Sequence, residues 1–352
     1  MNQNFASDNT AGAAPEILEA LAEAATGRAM PYGGDDWTAR VERRLAEVFE
    51  ADCAVFPVAT GTAANTLGLS IITPPWGAIY CHEHAHIILD ESSAPELFTG
   101  GARQIGLPGA VGKLDPETLA RKLANSGQGD VHHVQPAVLA LTQLTEWGTA
   151  YSPSEIAALT EVARRAGMRV QMDGARFANA LVGLGCSPAE MTWKAGVDVL
   201  SFGATKNGCL AAEAVVVFDR GLAESLPFRR KRAAQLYSKM RFISAQLEAY
   251  LADDLWLRLA ARANDTASLL ADGLQALEGI ELVAPVQGNE IFLRLSDAVA
   301  AGLAERGFIF YPWTFGGAGV YRLVTAFDSE VSEIEAFVAA ARDLTGKRSQ
   351  AS

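Results

Sequence analysis

The sequence predicts an α/β protein, with a mostly parallel sheet covered by helices on both faces and a smaller α+β C-terminal domain after it. Short apolar runs rich in β-branched residues alternate with amphipathic helical patterns as far as Phe218. The 352 residues are enough for a large core and two domains. Small, polar turns follow the apolar runs directly, and such sheets bind ligands beyond the carboxyl ends of their strands.

Composition narrows the partners. Hydrophobic residues make up 49% and charged residues 20%, as in ordinary globular proteins. The net charge of −12 comes with no basic stripe, which argues against nucleic acid. Cys53, Cys81, Cys186 and Cys209 form no C-x-x-C pair and read as reduced thiols of a cytoplasmic protein. Met1 to Thr10 lacks a basic stretch followed by an apolar one, so no signal peptide is expected. No apolar run is long enough to span a bilayer. The polar tail from Thr345 to Ser352 is expected to fray.

A helix starts at Pro15, after capping residues, and a second runs from Trp37 to Glu50. Cys53 to Val58 reads as a strand, and Ala59-Thr60-Gly61-Thr62-Ala63-Ala64-Asn65 opens a helix through Ser70. A small-residue turn at a helix N-terminus presents backbone amides suited to phosphate. Gly77 to Cys81 is the next strand, leading into His82-Glu83-His84-Ala85-His86. If that strand continues, the three histidines share a face and form a potential metal ligand set. Alternatively they leave the strand end, where an imidazole can stack on a flat ligand.

Leu114 to Asn125 holds the next helix, starting at Asp115-Pro116, and Ala137 to Thr142 the next strand, with Thr145-Glu146-Trp147-Gly148 as its exit loop. Ser154-Glu155 caps a helix through Ala166. Met168 to Met172 is a strand ending in Asp173-Gly174-Ala175-Arg176, and a helix follows. Val197 to Phe202 is a buried strand running into Gly203-Ala204-Thr205-Lys206-Asn207-Gly208. Ala214 to Phe218 returns after a short connection and is expected to be antiparallel. Arg229 to Arg232 is a basic cluster before a helix, solvated or facing a second subunit. Strands at Ile280–Val286, Glu290–Leu295 and Tyr321–Thr325, with helices at Trp256–Glu278, Ala298–Arg306 and Ser332–Leu344, make the α+β ending.

Lys206 organises the functional reading. A lysine just past a strand end, among small residues, has the rigid mount and the room that Schiff-base chemistry needs. Pyridoxal phosphate requires a lysine, an acid near the ring nitrogen, an anion cup and a flat cover. Lys206, Asp173, the Gly61–Thr62 turn and His86 supply these in order along one α/β domain.

These residues carry a resemblance. The chain resembles the low-specificity L-threonine aldolases, which have the fold type I, transferase-like architecture of pyridoxal-phosphate enzymes. The motifs are Phe5-Ala6-Ser7-Asp8-Asn9, Tyr32-Gly33-Gly34-Asp35, Asn65 after the Gly61 turn, Ala85-His86, Met172-Asp173-Gly174-Ala175-Arg176-Phe177 and Thr205-Lys206-Asn207-Gly208.

The resemblance implies a seven-stranded, mostly parallel sheet in a large cofactor-binding domain at 16–245. It also implies an N-terminal segment at the active site (1–15) and a small domain at 246–352. It makes Lys206 the cofactor-bearing lysine, Asp173 the partner of the ring nitrogen and His86 the stacking residue. Gly61, Thr62, Asn65 and Arg176 join them in binding pyridoxal 5'-phosphate. Ser7, Arg176 and Arg322 hold the substrate carboxylate, which suits a planar guanidinium. Tyr32 enters from a neighbouring subunit. His132, or a water held by His132 and Glu91, takes the β-hydroxyl proton. His82 and His84 sit at the solvent edge or behind the site, and His133 is not catalytic.

The implied activity is cleavage of L-threonine, L-allo-threonine and related β-hydroxy-α-amino acids to glycine and an aldehyde, in a cytoplasmic dimer of dimers. Trp147 and the Pro312-Trp313-Thr314-Phe315 loop add bulk that suits an aromatic aldehyde, as from phenylserine. Two alternatives stay open. One is a β-eliminating lyase with the same cofactor, the other a metal-dependent hydrolase built on His82, His84 and His86.

Overall fold

A computed structural model of the chain describes residues 3–346. Its main sheet has seven strands: β1 (Ala54–Val58), β2 (Gly77–His82), β3 (Arg103–Leu107), β4 (Gln135–Thr142), β5 (Arg169–Gly174), β6 (Val199–Gly203) and β7 (Glu213–Val217). Their order is β1-β7-β6-β5-β4-β2-β3. Only β7 runs against its neighbours β1 and β6, and the other pairs are parallel. The link from Gly203 to Glu213 is too short for a helical crossover, so the chain can only turn back.

A second, antiparallel sheet holds β8 (Glu281–Leu282), β9 (Glu290–Arg294), β10 (Tyr311–Pro312) and β11 (Val320–Val324), in order β10-β11-β9-β8. The strand expected over Ile280–Val286 is shorter: it pairs at Glu281–Leu282, Val283 N–H adds a last bond to Phe292 O at 2.9 Å, and Pro285 has no amide to carry the ladder on. The edge strand β3 had no sequence signal, since Arg103, Gln104 and Gly106 break its apolar pattern. Ser152, not Ser154, caps the helix Pro153–Arg165, in a capping box with Glu155. The basic cluster is itself helical, in Leu226–Arg232, and precedes the helix Arg241–Leu251; Arg230 is not solvated but buried over the Phe56 ring. The last helix runs to Gly346, so it includes Thr345, and the rest of the polar tail lies outside the described residues.

Packing fixes the strand that leads to Lys206. Phe202 of β6 meets Phe177, Trp256 and Tyr250 at ring-centroid distances of 6.0, 5.8 and 6.1 Å. Each fully buried ring contributes about 2–3 kcal/mol. On the other face, the helix Gly61–Ile72 is buried on nearly every side. A Cβ on its Gly68 would stand 3.0 Å from Val199 Cγ1, so only glycine lets helix and sheet come this close.

The N-terminal segment joins the two sheets. Phe5 N–H donates to Ile309 O, and Val324 N–H donates to Phe5 O, both at 2.8 Å. The segment then crosses to the main sheet, where Ala14 N–H donates to Gly208 O just past Lys206. Ser7 and Asp8 therefore lie between the two sheets.

Candidate active site

A cavity of about 560 Å³ opens at the carboxyl ends of the parallel strands. Each wall residue is carried there by a strand end. The turn after β1 brings Thr60, Gly61 and Thr62, the segment after β2 brings His86 and Glu91, and β4 ends at Thr142 before Glu146. Asp173 ends β5, and Lys206 follows β6. Glu213 reaches the same edge because β7 is antiparallel and starts there, opposite Val58 and Gly203.

The turn at Gly61 is an anion cup by construction. Thr60 caps the helix by accepting from Ala63 N–H at 3.1 Å. The amides of Gly61 and Thr62 precede the first intrahelical bond and have no helical partner. A Cβ added to Gly61 would meet no atom within 4 Å, so the space against the turn is open.

Lys206 sits in a one-turn helix whose next residue is anchored. Asn207 Nδ2 donates to Tyr250 Oη at 2.7 Å and to Trp256 O at 2.8 Å. Gly208 closes the turn at φ 110°, which a side chain would strain. Lys206 Nζ makes no hydrogen bond or ion pair with the described residues, so its amine is free for a ligand. Close approach of the β5 and β6 ends depends on glycine, since a Cβ on Gly203 would lie 2.7 Å from Gly174 O.

Asp173 is buried and oriented. Its Oδ1 accepts from Ala175 N–H at 2.9 Å and its Oδ2 from Asn65 Nδ2 at 2.7 Å. The same Asn65 amide donates to Glu91 Oε1 at 2.9 Å, and His86 Nδ1 lies 3.0 Å from that oxygen. The hydrogen bond to Glu91 raises the His86 imidazole above its usual value, while burial raises the Glu91 carboxyl. Burial also pushes Glu146 and Glu213 up to about 7. Glu146 Oε1 accepts from His86 N–H and from Thr142 Oγ1, both at 2.8 Å.

Two guanidinium groups line the opposite wall. Arg176 grips Asp8 with two bonds, of 2.7 and 3.0 Å, and lies 3.2 Å from Glu290 Oε2. Burial works to raise the Asp8 carboxyl, but the Arg176 charge and the hydrogen bonds outweigh it and hold the group below the usual carboxylate range. Arg322 is less committed. It donates to Ala6 O at 3.2 Å and lies 3.7 Å from Glu290 Oε1.

Ser7, Gly61, Thr62, Asn65 and His86 thus meet Glu91, Asp173, Arg176, Lys206 and Arg322 around one cavity. Tyr32 and His132 do not line it. Tyr32 is half-exposed, with its ring over the Lys231 ammonium. His132, expected at the substrate hydroxyl, lies in an exposed loop folded on itself, where its N–H donates to Asp130 Oδ1 at 2.9 Å. Within one chain it cannot act on the cavity.

The histidine cluster also differs from expectation. β2 stops at His82 and His86 opens a new helix, so the three side chains do not share a strand face. His82 is buried, not at the solvent edge, and both its ring nitrogens are used, on Gly109 O and His84 N–H. His84 lines the cavity. Among the described residues, His86, Glu91 and Asp173 converge closely enough to be metal ligands, and they are already tied together by Asn65 and the His86–Glu91 bond.

Sequence reasoning missed Asp8, Glu146, Glu213 and Glu290 as site residues. A carboxylate opening an apolar strand, as in Glu213-Ala-Val-Val-Val and Glu290-Ile-Phe-Leu, was the available signal. Acids are seldom buried unless paired or functional.

The β-eliminating lyase family matches residues 4–298. The chain is 45% identical to the low specificity L-threonine aldolase of Pseudomonas aeruginosa, over 94% of this chain and 95% of that one. It is 43% identical to the enzyme of the same name from another Pseudomonas strain, over 96% of both. A threonine aldolase structure from Leishmania major superposes with a TM-score of 0.91 at 27% identity, covering 98% of this chain and 100% of that chain. Serine palmitoyltransferase from Sphingomonas wittichii shares the fold, with a TM-score of 0.72 at 15% identity, over 99% of this chain and 88% of that one.

Proposed function

The chain belongs to the β-eliminating lyase family, among its low-specificity L-threonine aldolases, and from that premise we propose that it cleaves L-threonine and related L-β-hydroxy-α-amino acids to glycine and an aldehyde, using pyridoxal phosphate. The observation that carries this is one cavity where the free amine of Lys206, the buried Asp173 carboxylate and the open amides at Gly61–Thr62 converge.

The residues fit the cofactor. Gly61 and Thr62 would hold its phosphate, Asp173 would keep its ring nitrogen protonated, His86 would cover the ring and Lys206 would carry it. When bound, pyridoxal phosphate supplies a covalent hold on the substrate nitrogen and a sink for the Cα electron pair. Arg322, with Ser7, binds the substrate carboxylate and so sets the rotation that aligns the Cα–Cβ bond for cleavage, while Arg176 stays engaged with Asp8 and Glu290. With His132 outside the cavity of its own chain, Glu91 takes the β-hydroxyl proton directly or through a water. The O–H electron pair becomes the carbonyl bond, the Cα–Cβ pair stays on the glycine carbon, and a proton returns there.

Tyr32 and His132 could serve this cavity only from a second copy of the chain, which supports a homo-oligomer, read here as a dimer of dimers. Half-exposed Tyr32 and Tyr237 and exposed Met30 and Phe228 offer apolar surface for such contacts. Among the described residues no helix is long and apolar enough to cross a membrane. A cytoplasmic location is part of the proposal and is supported by the four cysteines, all unpaired, as in a reducing compartment. The aromatic wall of Trp313 and Phe315, backed by Trp147, favours aromatic aldehydes such as the one from phenylserine.

Product analysis tests the reading. Protein incubated with pyridoxal phosphate and threonine, allo-threonine or phenylserine should yield equimolar glycine and aldehyde. Borohydride treatment should fix the cofactor on Lys206, and Lys206→Ala should lose both adduct and activity. Ammonia and a keto acid as products would instead establish the β-eliminating lyase.

A further inference from the structure

His84 lines the cavity but has no role in the chemistry described so far, and its surroundings specify what it can do. Trp147 Nε1–H donates to His84 Nδ1 at 3.2 Å. An indole nitrogen is a donor only, so Nδ1 must present its lone pair, and a neutral imidazole then carries its proton on Nε2. The neighbouring histidine is fixed in the same way. His84 backbone N–H donates to His82 Nδ1 at 3.0 Å, which leaves His82 Nε2–H to donate to Gly109 O at 3.1 Å. Both the backbone and the ring of His84 are thereby held.

The ring also has its place in the cavity wall. It stacks on Phe315 at 4.2 Å and 27°. Phe315 meets Trp313 at 5.1 Å, and the Arg322 guanidinium lies 5.5 Å from the Trp313 centroid. An aromatic wall therefore runs from the open guanidinium to His84. Along it, Phe315 has no polar atom, the N–H of Trp147 behind the wall is spent on His84, and Trp313 Nε1 is buried from solvent. His84 Nε2, which has no partner among the described residues, is the polar atom this wall offers a ligand. Arg322, at one end of this wall, and Lys206 line the same cavity as His84, so a substrate held by the guanidinium lies within the space that the wall bounds.

Resting on the aldolase reading, we propose that His84 is a catalytic residue whose Nε2–H donates to the β-oxygen of the substrate. As the hydroxyl proton leaves for the Glu91 side, the O–H pair forms the carbonyl bond and the Cα–Cβ pair moves to Cα. The His84 N–H stabilises the negative charge that builds on the oxygen. His84 itself neither takes nor gives a proton.

The test compares L-serine, which has a β-oxygen, with L-alanine, which lacks it, each titrated into the holoenzyme and followed by cofactor absorbance. The wild type should bind serine about three- to tenfold more tightly, as expected for one neutral hydrogen bond. His84→Phe keeps the stacking and removes the donor. It should erase the serine preference, lower kcat for threonine and leave glycine affinity unchanged. His84→Gln, which restores a donor, should recover part of the preference. If His84→Phe fails to take up cofactor, Trp147→Phe serves instead, because without the indole donor the proton can move to Nδ1 and the preference should fall. A serine preference that survives His84→Phe, or Trp147→Phe where that is used, overturns the proposal. Failure of the aldolase reading would appear separately, as no glycine released by the wild type.

Discussion

One amide of Asn65 serves two acids: its Nδ2 donates to Asp173 Oδ2 at 2.7 Å and to Glu91 Oε1 at 2.9 Å. Gln171 Nε2 donates to Asn65 Oδ1 at 3.1 Å and so holds the amide in that orientation. Without it, two buried carboxyl groups would face each other with no shared donor, and Asp173 would lose one of its two hydrogen bonds. Hydrogen bonds to charged groups are worth about 1.5–3 kcal/mol. Asn65→Ala should therefore weaken cofactor binding about ten- to hundredfold, measured by titrating apoprotein with pyridoxal phosphate. An unchanged dissociation constant would mean that Asp173 is held without Asn65.

The two arginines should fail in different ways. Arg176 is buried between Asp8 and Glu290, and its loss would strand both acids. Breaking a buried pair by removing one partner costs about 3–5 kcal/mol. Arg176→Ala should therefore lower stability to urea by about that much, and activity would fall with folding. Arg322 has a long contact to Glu290, one backbone carbonyl and the Trp313 ring 5.5 Å away, but no close ion pair among the described residues. Arg322→Ala should fold normally and raise KM about ten- to hundredfold, the worth of a charge-assisted bond to the substrate carboxylate. Urea unfolding and steady-state kinetics on both variants separate the roles, and a stable Arg176→Ala with raised KM alone would reverse them.

Much of this site could be read along the chain because its parts are local. A strand end, a turn and one reactive side chain lie within a few residues at Gly61, Asp173 and Lys206, and alternation along the chain puts them at one edge. What stayed hidden was contact between distant segments. Asp8 becomes an ion-pair partner only when the N-terminal segment crosses to Arg176, and Glu290 enters from the second sheet. The histidine spacing misled for a related reason. Whether β2 continues past His82 depends on tertiary bonds such as Glu83 N–H to Leu107 O, which periodicity does not encode. His132 matched a family position, but only the folded loop reveals that it lies outside its own cavity.

Glu146 supplies a pH test. Burial pushes its carboxyl from the ordinary 4.5 up to about 7, and the bonds from His86 N–H and Thr142 only partly offset this. In the unfolded chain the group ionises near 4.5, whereas in the folded protein it keeps its proton until about 7. Between those values the unfolded state binds fewer protons, so stability falls as pH rises. Below 4.5 both states are protonated and nothing is lost. Above 7 the penalty is complete, at about 3 kcal/mol. Glu146→Gln keeps an oxygen for His86 N–H and removes the titration. In the cofactor-free protein, this variant should match the wild type near pH 4 and exceed its urea stability by up to about 3 kcal/mol at pH 8. Glu213, pushed up to about 7 by the same burial, adds a fall of the same sign that both proteins share. Identical pH slopes in the two proteins would mean that Glu146 ionises in the fold as readily as in water, and that the cavity edge beside His86 is wetter than its packing indicates.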